Sequence, residues 1–190
     1  MDIFKFLSEQ INDKGTLSKL GDSVGAKPEE VQKLTQMGVP VLLQAMGRNA
    51  STKQGAESLA GALNQHQDDN IDDIQDFLDN VNKNDGEKML QHIFSENKDR
   101  VQNNLAKKTG LESNQVTGLL TQLAPLLIGA LAQQKKEKNL DPTGVAGLLG
   151  GLTKQRGGGL MDMVSNLLDS DDDGSIVDDV GNLLKGFLKK

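Results

Sequence analysis

Residues 116–131 read VTGLLTQLAPLLIGAL, and residues 31–46 read VQKLTQMGVPVLLQAM. Set one under the other, they share Val31 with Val116, Leu34 with Leu119, Pro40 with Pro125, Leu42 with Leu127 and Ala45 with Ala130, every pair 85 positions apart. Apolar residues in both stretches recur at helical spacing, and period-two alternation is absent along the whole chain. The register extends in both directions. Leu20 and Gly25 precede the first stretch as Leu105 and Gly110 precede the second. Downstream, residues 55–63 (GAESLAGAL) match residues 144–152 (GVAGLLGGL) at a spacing of 89, with extra residues around 135–140 accounting for the change. An internal duplication explains this register better than chance does. The expected fold is all-α and multihelical, with two similar helical halves and a C-terminal helix-loop-helix.

Within each half, glycine and proline mark the breaks. Ile3, Phe4, Leu7 and Ile11 predict a short amphipathic helix that stops before Gly15. Residues 16–24 predict a second, closed by Gly25, and Pro28 with Glu29 and Glu30 opens a third at its positive end. Proline inside a helix removes a hydrogen bond and clashes with the preceding turn, at about 3 kcal/mol. A kink or a restart is therefore expected near Pro40 and again near Pro125. Another helix follows over 53–66.

Between the halves, Ile71, Ile74, Phe77, Leu78 and Val81 form one apolar face, and Asp69, Asp72, Asp73 and Asp76 form the opposite one. This predicts an acidic bridging helix over 68–82. Such a face attracts basic partners or divalent ions, though a solvated surface needs no partner at all. The organisation is thus a duplicated domain over 1–156, with copies at about 1–67 and 86–156, a glycine hinge at 157–159 and a tail at 160–190.

Composition narrows the function. Of 190 residues only five are Phe, with no Trp, Tyr or Cys. Stacking platforms for bases or sugars are scarce, and thiolate nucleophiles, disulfides and zinc-thiolate sites are excluded. The formal net charge is −6 and the mean hydropathy −0.45, a sign that repels phosphate backbones unless a basic patch is segregated. No signal peptide is expected at the amino terminus. The longest apolar run, residues 123–132, is too short on its own to span a bilayer. The cytoplasm is the expected compartment.

One stretch carries chemistry. Residues 169–180 read DSDDDGSIVDDV. With Asp169 at loop position 1, oxygen ligands fall at positions 1, 3 and 5 (Asp169, Asp171, Asp173), and Gly174 makes the sharp turn at position 6. Ser175 then offers its backbone carbonyl, and Ile176 is the apolar anchor. A hard cation such as Ca2+ needs this many oxygens because they replace most of its hydration shell. Position 12, normally a bidentate Glu, is Val180, so closure falls to Asp178 or Asp179. Apolar residues flank the loop: Leu160, Met163, Val164, Leu167 and Leu168 before it, and Val180, Leu183, Leu184, Phe187 and Leu188 after it. The competing reading is an acidic linker that caps the last helix.

Residues 85–94 (DGEKMLQHIF), 105–110 (LAKKTG) and 123–131 (LAPLLIGAL) resemble the YidB-like family of bacterial domains of unknown function. The tail over 167–179 is similar to the calcium-type ending that many members carry. The resemblance covers most of the chain and implies a multihelical fold, no established activity and no catalytic residues to carry over. His92 lies in its His-Ile-Phe stretch, where a helix-packing role is expected.

Three function classes compete. A non-enzymatic interaction or structural module with an unidentified protein partner and a calcium-binding tail is the first, with self-association left open. DNA binding is the second, because residues 17–34 and 105–119 scan as helix-turn-helix segments. The first offers Glu29 and Glu30 where bases would be read, and the second offers Ser113, Asn114 and Gln115 without Arg, so no nucleic acid is expected. An enzyme is least favoured. His66 and His92 are the only side chains suited to proton transfer near neutral pH without large tuning, and neither has metal-ligand spacing.

Overall fold

The computed structural model describes residues 9–154. Among these, residues 9–11 are helical, eight α-helices and one 3-10 turn follow, and no strand occurs. The helices are α1 (Lys14–Val24), α2 (Pro28–Asn49), α3 (Lys53–Gln65), α4 (Ile74–Asn80), α5 (Lys83–Phe94), α6 (Lys98–Thr109), α7 (Ser113–Glu137) and α8 (Pro142–Lys154). The all-α expectation holds.

Local chemistry sets these boundaries. Asp13 opens α1, its carboxylate accepting from the Gly15 and Thr16 amides at 2.9 and 3.2 Å. Gly25 closes it in the left-handed region at φ 70°, and Gly110 closes α6 the same way at φ 85°, a conformation that costs glycine little. The Glu30 carboxylate accepts from the Lys27 amide at the start of α2, as the Gln115 side-chain oxygen accepts from the Glu112 amide at the start of α7. Thr52 and Asp141 cap α3 and α8 by accepting from Gly55 and Gly144, at 3.1 and 2.7 Å. Satisfying these first-turn amides is what fixes where each helix begins.

One expectation narrows and another changes. Of the kink or restart expected at each proline, the restart does not occur: α2 runs through Pro40 and α7 through Pro125 as continuous helices. Dense burial on all sides compensates for the missing bond, since Leu123, Ala124, Leu126 and Leu127 around Pro125 have no exposed surface. The connector is not one helix over 68–82. Residues 66–73 form a turn, Asp73 caps α4 by accepting from the Gln75 and Asp76 amides, and helix exists only over Ile74–Asn80. Four aspartates within 68–73 favour side-chain bonds to nearby backbone amides over helix. Ile71 is nonetheless fully buried.

The core is organised around α7, which packs against α1 to α6. Its closest neighbour is α5. A Cβ added at Gly86 would stand 2.0 Å from the Thr121 carbonyl oxygen, so only glycine allows this approach. Length does not distinguish α7 from a membrane span: it has 25 residues, and an eighteen-residue window reaches a mean hydropathy of 1.4. Its surroundings do, because 83% of that window is enclosed by the protein. Between the triplet α1 to α3 and the triplet α6 to α8 the packing is reciprocal. α1 contacts α7 while α6 contacts α2, and α3 contacts α7 while α8 contacts α2. α2 meets α7, and α3 meets α8.

Candidate functional site

The predicted metal ligands Asp169, Asp171, Asp173, Ser175, Asp178 and Asp179 lie outside the described residues, as do Val180 and the glycine hinge at 157–159. Among the described residues, no group of three or more His, Asp or Glu side chains is placed to hold a metal ion.

His66 is a half-buried histidine with a carboxylate beside each ring nitrogen. It caps the C-terminus of α3, and the following turn brings Asp69 back to it. Its Nδ1 lies 2.8 Å from Asp69 Oδ2, and its Nε2 lies 3.6 Å from Asp85 Oδ2 in the first turn of α5. A carboxylate only accepts, so Nδ1 carries a proton in this contact. The ring is flanked by acids on both nitrogens, on opposite edges, and its side chain is 20% exposed. Opposite edges do not converge on one ion, and a general base would present its second nitrogen to a nucleophile rather than to a carboxylate. The arrangement ties three segments together. Two lysines of α7 add ties nearby, Lys136 Nζ donating to Asp68 of the connector at 2.9 Å and Lys135 Nζ to Asn64 at the end of α3 at 2.6 Å.

A groove of about 630 Å³ lies between α1 and α4, lined by Asp13, Asp72, Asp73, Asp76 and Asp79 around Lys19. Much of this acid is engaged. Asp13 and Asp73 cap helices, and Lys19 Nζ donates to Asp79 and to the Gln75 carbonyl oxygen.

The two helix-turn-helix segments exist as helix, glycine turn, helix: α1 to α2 and α6 to α7. Their reading residues are otherwise occupied. Gln115 Nε2 donates to the Gly25 and Val24 carbonyl oxygens at 2.7 and 3.3 Å, closing the end of α1. Ser113 Oγ donates to Asn103 Oδ1 at 2.8 Å. Asn114 is exposed. Beyond the first turn, Val116, Leu119 and Leu120 are fully buried, so little of α7 is open to a groove.

His92 corrects an expectation. It is exposed, because Leu90, Ile93 and Phe94 form the buried face of α5. Its backbone carbonyl accepts from Asn49 Nδ2 at 3.1 Å. His66 carried a partial signal in sequence through Asp69 three residues on, whereas Asp85 reaches it only through the tertiary fold.

Among the described residues these features define an all-helical domain in which His66, Gln115 and Lys19 tie helix ends and segments together. The chain matches the family described as bacterial protein of unknown function (DUF937) over residues 6–134. It belongs to that family, which includes the YidB-like proteins it resembles. No curated protein and no solved structure matches the chain.

Proposed function

We propose that this chain is a non-enzymatic interaction or structural module of the cytoplasm whose C-terminal loop binds one calcium ion weakly. The observation that carries the ion is the order Asp169, Asp171, Asp173, Gly174, Ile176, three carboxylates at alternate positions before the turn residue such a loop requires. Val180 in place of the closing bidentate acid lowers both charge count and rigidity, which puts the affinity at the weak end. Support for the module reading comes from the described polar side chains: His66, Gln115 and Lys19 are spent on holding helices together. Its partner is a protein of unidentified chemistry.

The two halves are further read as copies of one unit. Equal spacing of Gly25 and Gly110, of Glu30 and Gln115, and of Pro40 and Pro125 supports this. So does the reciprocal packing of α3 on α7 and α8 on α2.

DNA binding is the second reading, favoured by the paired helix-glycine-helix segments. The acids at Glu29 and Glu30 and the commitment of Gln115 weigh against it.

Titration calorimetry of the full chain tests the primary reading, with Asp171→Ala plus Asp173→Ala as its control. The wild type should bind with Kd of about 10⁻⁴ M or weaker, and the double variant should give no binding heat. No calcium heat from the wild type, or equal heat from both, would reduce the loop to a linker.

A further inference from the structure

The chain has two histidines, and the fold treats them differently. His92 is exposed on α5. His66 closes α3, its amide donating to the Leu63 carbonyl oxygen and its own carbonyl oxygen accepting from the Asp69 amide, both at 3.3 Å. That turn sets the ring against Asp69 within one short stretch of chain. Asp85 approaches the other edge of the ring from the first turn of α5, where Asn82 accepts from the Asp85 amide at 3.2 Å. The ring therefore stands between two segments that only the tertiary fold brings together.

The two contacts differ in kind. At 2.8 Å, Nδ1 and Asp69 Oδ2 make a hydrogen bond in which Nδ1–H donates. At 3.6 Å, Nε2 and Asp85 Oδ2 lie beyond hydrogen-bond distance. A neutral imidazole has one N–H, and here Nδ1 holds it. Nε2 then turns a lone pair toward a carboxylate that also only accepts, and nothing draws the two atoms together. An imidazolium carries N–H on both nitrogens. Nε2–H can then donate to Asp85, and a closure of less than about 1 Å brings the pair to the length of a charge-assisted bond.

Histidine is the side chain that ordinarily changes charge between about pH 5 and 8. The ring faces Asp69 from the connector, with Asp68 nearby, and Asp85 from α5. From α7 come Lys135 and Lys136, whose ammonium groups are engaged on Asn64 and Asp68. The ring itself is one-fifth exposed, so protons reach it from solvent.

We propose that His66 is a proton-operated latch between the connector and α5. With the ring neutral it is fastened to Asp69 alone. With the ring protonated it is fastened to Asp69 and Asp85 together. The second tie is present below the range in which histidine titrates, and it is lost as pH rises through that range. The latch is independent of ion binding by the tail, since none of its groups lies there.

A double-mutant cycle on the full chain tests it, using His66→Ala, Asp85→Ala and the two combined, by urea unfolding at about pH 5.5 and about pH 8. The cycle cancels what each residue does alone, including the favourable place of Asp85 at the positive end of α5 and the titration of His92. At the lower pH the coupling should favour the folded state by about threefold in the unfolding equilibrium constant, the size expected of a pair with one partner 41% exposed. At the higher pH the coupling should vanish. Equal coupling at both pH values would make His66 a fixed structural tie, and no coupling at the lower pH would mean that Asp85 never bonds to it. Either result overturns the latch. Side-chain nitrogen NMR of the unaltered chain gives an independent reading. The His66 proton should sit on Nδ1 at the higher pH, and both nitrogens should be protonated at the lower. A proton on Nε2 at the higher pH would also overturn the proposal.

Discussion

Gly86 allows a close backbone approach in the core, where α5 meets α7. A methyl group there would enter the Thr121 carbonyl oxygen, which is backbone and has no rotamer to yield. Gly86→Ala should destabilise by about 1–3 kcal/mol, the usual cost of overpacking. Urea unfolding should show the midpoint falling with little change in slope. Gln115 acts through polar bonds instead. Its amide joins the start of α7 to the carbonyls ending α1, and removing one such polar tie costs about 0.5–1.5 kcal/mol. Gln115→Ala, which also loses the bond from the Glu112 amide, should lower the midpoint by a comparable amount in the same measurement. Gly25, Gly110 and Pro28 were legible from sequence, since their roles follow from backbone geometry alone. Gly86 was not, because nothing near it in the chain announces Thr121, 35 positions away.

At the scale of elements, α7 joins two properties that composition alone cannot separate. It has the length and apolarity of a membrane span, and it is the helix the others enclose. Leu119 is fully buried there. Leu119→Ala should cost about 2–5 kcal/mol, read as a lowered unfolding midpoint of the isolated, detergent-free protein. The same helix bears on the DNA reading. With Gln115 bonded to α1 and the next turns buried, α7 has little free surface to lay in a groove. Gel shifts with mixed duplexes should show no sequence preference. A salt-sensitive, sequence-selective shift abolished by changing Asn114 and Gln115 would promote the DNA reading. Helix existence followed well from periodicity. Tertiary packing and local side-chain bonding decided what periodicity left open or misread. Of the kink or restart expected at Pro40 and Pro125 the restart is absent, their helices being held continuous by their neighbours, and the aspartates of 68–73 lie in a non-helical connection where the apolar pattern of Ile71 and Ile74 predicted helix.

At the scale of the molecule, each triplet of helices lends an element to the other: α3 lies against α7 and α8 against α2. Sequence showed the repeated register but not this exchange, which depends on how the connector turns at His66 and Ile71. A core shared in this way opens as one unit. Slowly exchanging amides of α2 and α7 should therefore report the same opening free energy in native-state hydrogen exchange, and two distinct values would mean two independent halves. The functional claim rests on the tail, whose predicted ligands lie outside the described residues. It is tested most directly by amide NMR of the full chain titrated with calcium. Gly174 and its neighbours in 169–179 should shift saturably up to about millimolar ion, the range of weak loops of this kind, while α2 and α7 amides hold their positions. An unmoved Gly174 amide at that concentration, or shifts of equal size in α2 and α7, would contradict a calcium-binding loop set apart from the helical core.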